Sequence, residues 1–172
     1  LICGWSHMSE NGIAVVCPTF NCKDYINRTL ETILSQKDKP EEVIFSDDGS
    51  QDNTVEIIDK NREQFTQAGI KLKILNNPHE GPGAARNHGI LATKLAWIAF
   101  LDADDTWEPN KLLRIRQEIL QNERANLFLH WEEHHLADGK KRLLEHGKQY
   151  NTNKNLPTQL YRSNFLSPSA IV

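Results

Sequence analysis

The run Ile13-Ala-Val-Val-Cys17 carries no polar side chain at any position, so a strand built from it is buried on both faces. A strand of that kind belongs in a sheet covered on both sides, and the rest of the chain supplies the cover. Tyr25, Ile26, Leu30, Ile33 and Leu34 recur at helical spacing after Pro18 ends the first strand. Val43-Ile-Phe-Ser46 reads as a second strand, and the polar Gln51-Asp-Asn-Thr54 offers N-cap chemistry for a helix reaching about Gln67. Ile70, Leu72 and Ile74 alternate as a third strand, and a short helix spans about Ala84 to Ala92. Trp97 to Leu101 is the fourth strand. Pro109 sits where a helix can begin, Leu112, Leu113, Arg116, Ile119 and Leu120 continue it, and Leu127-Phe-Leu129 reads as a fifth strand. The fold class is therefore α/β: a mainly parallel sheet flanked by helices with right-handed crossovers, a Rossmann-like arrangement. At 172 residues there is enough chain for one well-buried core, hence a single domain over residues 8–172. Residues 1–7, ahead of the sole methionine Met8, resemble an expression-vector remnant and carry no functional argument.

In parallel sheets, ligands bind beyond the carboxyl ends of the strands. The unusual residues collect there. Pro18-Thr-Phe-Asn21 follows strand one, Asp47 and Asp48 follow strand two, Gly81 to Arg86 follow strand three, and Asp102 to Asp105 follow strand four.

Each stretch has its own chemistry. Asp102, Asp104 and Asp105 bring three carboxylates within four positions, a cost to stability unless a cation or hydrogen-bond donor lies among them. Asp102-Ala103-Asp104 suits a hard divalent ion whose remaining coordination comes from water and substrate phosphates; the alternative is helix capping or pairing with arginine. One of Asp47 and Asp48 is needed to hold the Asp-Gly-Ser turn, and the other is free to accept a ligand N–H such as the N3 imide of uracil. Gly81-Pro-Gly-Ala-Ala-Arg-Asn87 has Arg86 where G-x-G-x-x-G has its last glycine, and follows the third strand rather than the first, so it is no nicotinamide fingerprint. It offers backbone N–H groups and an arginine at a helix start, a seat for a phosphate, unless Arg86 pairs with the acidic cluster instead. His130, His134 and His135 lack the glutamate of a His-Glu-x-x-His zinc site, Trp131 standing in its place. Trp97, Trp107 and Trp131 read as packing residues, with Trp107 near enough to the acids to line a sugar subsite.

A net charge of −3 gives no general attraction to nucleic acid, and the longest apolar run, Leu95 to Leu101, falls far short of the roughly 20 residues of a membrane span. Three cysteines, Cys3, Cys17 and Cys22, an odd number without metal-ligand spacing, fit a reducing compartment; the expected location is cytoplasmic, or peripheral at the cytoplasmic face of a membrane.

Taken together, Pro-Thr-Phe-Asn with Tyr25 after it, Ser-Asp-Asp-Gly-Ser-Gln-Asp-Asn-Thr, Gly-Pro-Gly-Ala-Ala-Arg-Asn-His-Gly and Phe-Leu-Asp-Ala-Asp-Asp, in this order, resemble the family 2 glycosyltransferases of the GT-A fold, over about Gly12 to Leu120. The resemblance implies inverting transfer of a sugar from a nucleoside diphosphate sugar, usually a UDP sugar, to a saccharide or glycolipid acceptor, with Mn2+ or Mg2+. It implies that Pro18, Thr19 and Phe20 frame the nucleoside, Asp48 meets the base, Arg86 the nucleotide, Asp102 with Ala103 the ribose region, and Asp104 the metal. It also implies a general base well downstream of the acidic motif; none of Glu132, Glu133, Asp138 or Glu145 has a motif nominating it, so the base is expected beyond Val172 and the domain is expected to be incomplete at its C-terminus.

Two other readings compete. Ile98-Ala-Phe-Leu-Asp-Ala-Asp-Asp-Thr106 also fits the D-x-D-x-Thr of haloacid-dehalogenase-like phosphatases, with Asp102 as nucleophile, although that motif belongs on a first strand. A non-catalytic nucleotide-sugar-binding fragment is the second.

Overall fold

The computed structural model describes residues 11–136, 138–145 and 167–172. The remnant read at residues 1–7 and the polar loop from Tyr150 to Asn155 lie outside them. β1 (Ile13–Thr19), β2 (Glu42–Asp47), β3 (Lys71–Asn76) and β4 (Trp97–Phe100) make one wholly parallel sheet in the order β3-β2-β1-β4. Helices α1 (Ile26–Leu34), α2 (Thr54–Lys60), α3 (Arg62–Gln67), α4 (Pro82–Leu91) and α5 (Lys111–Gln121) connect and cover it.

The two faces are packed differently. Ile13, Val15 and Cys17 of β1 join Phe45, Ile26, Leu30, Ile58, Phe65, Leu112 and Ile115 in the main core. On the other face α4 lies against β1 and β2. The approach is close: a Cβ added to Gly89 would lie 2.4 Å from Val16 Cγ1, so only glycine fits there. A β1 buried throughout its first five residues agrees with its apolar sequence.

Pro18 does not end β1, as the sequence suggests, but lies inside it. The reason is register. Even-numbered carbonyls of β1 face β4, Gly12 O accepting from Trp97 N and Val16 O from Leu101 N, while those of Ile13 and Thr19 face the β2 side. The last β1–β4 pair is Val16 with Phe100, so the N–H that Pro18 lacks would have pointed past the end of the ladder. β1 and β4 separate beyond this point, where the strand order changes direction, which is the position at which such sheets form a crevice.

Two other expectations need correction. The helix read as continuous to Gln67 is two, α2 and α3, because Asn61 turns its side-chain amide back to Ile57 O (2.8 Å) at the break. Leu127–Leu129 is not a strand of the sheet; it is joined to residues 170–172 by a bridge from Leu129 to Ile171 and by bonds between Phe128 and Val172, and Ile171 O in turn accepts from Phe100 N. The segment after it holds an unforeseen antiparallel hairpin, β5 (Glu132–His135) with β6 (Lys141–Leu144), turning at Gly139 with φ of 80°. No helix among the described residues is long and apolar enough to cross a membrane.

Candidate functional site

Four loops at the carboxyl end of the sheet enclose an open cavity of about 420 Å3. All eight residues singled out from the sequence line it: Pro18, Thr19, Phe20, Asp48, Arg86, Asp102, Ala103 and Asp104. Asn21, Cys22, Tyr25, His79, Pro82 and Ala85 complete the wall. Of these, His79 stands in none of the motifs legible in the sequence.

The first two loops are tied together. Asn21, at a φ of 46°, donates from its backbone to Ser50 Oγ (2.9 Å) and accepts from Gln51 N through its side chain (2.8 Å). Cys22 N donates to Thr54 Oγ1. This fixes the rim from which the Phe20 ring, 45% exposed, stands into the cavity.

The two aspartates after β2 divide the work. Asp47 is buried and holds the Asp-Gly-Ser turn: it accepts from Ser50 N (2.7 Å), Ser50 Oγ (2.6 Å) and Thr19 Oγ1 (2.9 Å). The Thr19 hydroxyl is thus committed to the protein. Asp48 reaches the next loop, where its Oδ1 accepts from Glu80 N (2.8 Å) and Gly81 N (3.1 Å), while Oδ2 lies 2.8 Å from His79 Nδ1. Burial alone would raise the Asp48 pKa, but the Glu80 and Gly81 amides and His79 outweigh it and hold the carboxyl below its usual range. The anion seat expected at the head of α4 therefore has a resident anion, Asp48, at its first N–H groups. The imidazole also stacks on Phe20, ring centroids 4.3 Å apart at 19°.

The fourth loop is held from beneath by α1 and the turn that follows it. Thr29 Oγ1 donates to Ala103 O (2.6 Å), Thr32 bonds both the carbonyl and the amide of Trp107, and Gln36 bonds Glu108 O and Leu112 N. Trp107 is consequently a core residue, 6% exposed, and does not line the cavity. The three carboxylates of this loop have separate environments. Asp102 pairs with Arg86 (2.5 Å) and donates from its backbone N–H to Ser169 Oγ (3.0 Å). Asp105 has its pKa raised first by burial and then by Asp104, Asp102 and Glu132, against an opposing bond from Ser169. Asp104 is exposed on the cavity wall. Lys111, whose amine sits 3.7 Å over the Trp107 ring and donates to Ser169 O (2.9 Å), interacts electrostatically with Glu132 and Asp105. Burial depresses the Lys111 pKa well below the lysine range, and Glu132 and Asp105 oppose the shift.

No cluster of three or more metal-binding side chains gathers among the described residues, the histidines of the β5 segment included. Asp102 and Asp104 nevertheless suit magnesium or manganese: hard oxygen donors, one of them open to solvent, beside a cavity with room for water and phosphate oxygens. Arg86 Nε is buried without a hydrogen-bond partner among the described residues, a donor left over on the same wall.

The Glycosyl transferase family 2 profile matches residues 14–169. An uncharacterized glycosyltransferase of Nostoc sp. is 32% identical over 77% of this chain and 39% of its own length. The UDP-Glc:alpha-D-GlcNAc-diphosphoundecaprenol beta-1,3-glucosyltransferase WfaP of Escherichia coli is 38% identical over 58% of this chain and 38% of its own. Among solved structures, residues 1–349 of S. aureus TarS in complex with UDP-GlcNAc share 27% identity and superpose with a TM-score of 0.60, covering 69% of this chain and 33% of that one. The chain thus spans less than two fifths of the length of each of these relatives. Its parallel sheet, helical cover and strand-end cavity are those of a GT-A nucleotide-sugar domain, and the chain belongs to glycosyl transferase family 2.

Proposed function

We propose that these residues form the donor-binding part of an inverting glycosyltransferase that moves a sugar from a UDP sugar to a saccharide or glycolipid acceptor. The observation that carries this reading is one cavity with an exposed aromatic ring and a buried carboxylate on one wall and an exposed Asp104 on another. That is the polarity of a nucleoside diphosphate: a flat base at one end, a doubly charged bridge at the other. The UDP-GlcNAc complex of TarS and the UDP-glucose in the name of the E. coli relative support uridine. The phosphatase alternative does not survive the family assignment, and β4, which Asp102 follows, is the fourth strand rather than the first.

In this reading Pro18 and Thr19 shape the nucleoside wall and Phe20 stacks on the base. Asp48 accepts a base N–H, and Asp102 with Ala103 faces the ribose. Asp104 is the residue that would hold Mn2+ or Mg2+, with Asp102 near it. When bound, such an ion supplies positive charge where the departing diphosphate becomes more negative. Arg86 serves the same charge from the protein side, its buried Nε already lacking a partner among the described residues. The acceptor hydroxyl needs a general base within hydrogen-bond reach, and we assign it to the part of the relatives' length that this chain does not span. A cytoplasmic setting accords with Cys17 and Cys22, which are buried free thiols.

Titration calorimetry with UDP, with and without Mn2+, tests the reading. Metal-dependent binding that Asp104→Ala removes is the expected result; UDP affinity indifferent to metal or to Asp104 would sink it. Donor hydrolysis by the 172-residue chain separates a working transferase from a binding fragment.

A further inference from the structure

His79 was not foreseen from the sequence, yet it makes two contacts in the cavity that coincide with those assigned above to the donor base. Its ring lies nearly parallel to Phe20, centroids 4.3 Å apart. Its Nδ1 lies 2.8 Å from Asp48 Oδ2 and 3.0 Å from Asp48 O. Both partners are acceptors, so Nδ1 carries the proton and donates. We propose that His79 is a resident surrogate for the base, and that a nucleotide enters its subsite by displacing the imidazole.

The hydrogen-bond accounting makes the two occupants exclusive. Asp48 Oδ1 is filled by Glu80 N and Gly81 N, and Gly81 N also reaches Oδ2 at 3.0 Å. The remaining capacity of Oδ2 is the part His79 uses. A base that donates to Oδ2 and stacks on Phe20 needs the place the imidazole holds. Leaving is inexpensive for His79: its side chain is 61% exposed, and it lies in the loop between β3 and α4, outside the main core. The same accounting selects among bases. One open acceptor position fits the single N–H of uracil, and the paired N1 and N2 donors of guanine would find only one partner. His79 is thereby a specificity-determining residue. Its presence lowers apparent affinity by the fraction of molecules in which the subsite is already filled.

The proposal rests on the base-subsite reading above, and the experiment separates the two. Titrate the chain and His79→Ala with UDP, GDP and inorganic pyrophosphate in the presence of Mg2+. The expected result is UDP bound more tightly than pyrophosphate by the parent, with His79→Ala tightening UDP about three- to tenfold and leaving pyrophosphate unchanged. If the parent binds UDP no better than pyrophosphate, the base subsite itself is wrong and the proposal goes with it. If the base does contribute but His79→Ala weakens UDP or leaves it unaltered, the surrogate alone is overturned, since the imidazole is then a partner of the base or a bystander. The His79 ring-proton resonances, identified by their loss in His79→Ala, provide the check that needs no variant for binding: they shift on adding UDP and stay in place with pyrophosphate.

Discussion

The loops after β2 and β4 both put aspartates at the same end of the sheet, but they dispose of the charge in opposite ways. Asp47 and Asp48 are each 2% exposed and every oxygen has a protein donor. Of Asp102, Asp104 and Asp105, Asp102 pairs with Arg86, Asp105 interacts with Lys111, and Asp104 is open to the cavity. The first loop spends its negative charge on building the site; the second keeps charge in reserve. An acidic motif is therefore read by counting donors around each oxygen, not by counting carboxylates.

The widest gap between the two loops is in stability. Asp47→Ala strips acceptors from Thr19 and both donors of Ser50 in a buried turn, and is expected to cost about 2–4 kcal/mol in urea unfolding. Asp104→Ala, exposed, is expected to stay within about 0.5 kcal/mol of the parent. Comparable losses would erase the distinction. Ligand binding reverses the ranking: Asp104→Ala is expected to abolish a gain of at least about tenfold in UDP affinity on adding Mn2+, about 1.4 kcal/mol, by calorimetry.

The contrast with pH is finer. Asp48 has a depressed folded-state pKa, so its contribution is complete above the unfolded value near 4 and is lost as pH falls through the folded value. The stability difference between the parent and Asp48→Asn should shrink from pH 6 to pH 3. Asp105 has a raised pKa, so the folded state is penalised increasingly as pH rises above the unfolded value near 4, and in full above the folded value. Asp105→Asn should gain a little at pH 7, less than about 1 kcal/mol, and the gain should vanish at pH 3. Urea midpoints across this range give both slopes, and slopes of the same sign would show that the two loops do not differ in this respect.

Much of this was legible in the sequence where a pattern repeats at short range. The apolar β1 run, the helical spacing of Ile26, Leu30 and Ile33, and carboxylates following apolar strands are enough to place four loops at one sheet end. What stayed hidden depended on contacts across many residues. The choice between Asp47 and Asp48 as the turn residue turned on Thr19 and on Glu80, 28 and 32 positions away respectively. His79 sits in no motif, and only the parallel register of β2 with β3 brings it to Asp48. Leu127–Leu129 had a strand's composition, yet its partner is the segment at 170–172 rather than the main ladder. The Asn61 break needed knowledge of where a single amide turns.

The close fit at Gly89 has a consequence for how fast the site responds. Arg86 lies three residues before it on α4, close to one turn and on neighbouring parts of the helix surface. With no clearance over Val16, α4 cannot slide along β1 without carrying the strand, so the backbone under Arg86 is fixed relative to the sheet. Releasing Asp102 to a ligand is then a change of side-chain torsion that needs none of the microsecond motion of a helix. The charged wall of the cavity rearranges without waiting for the fold.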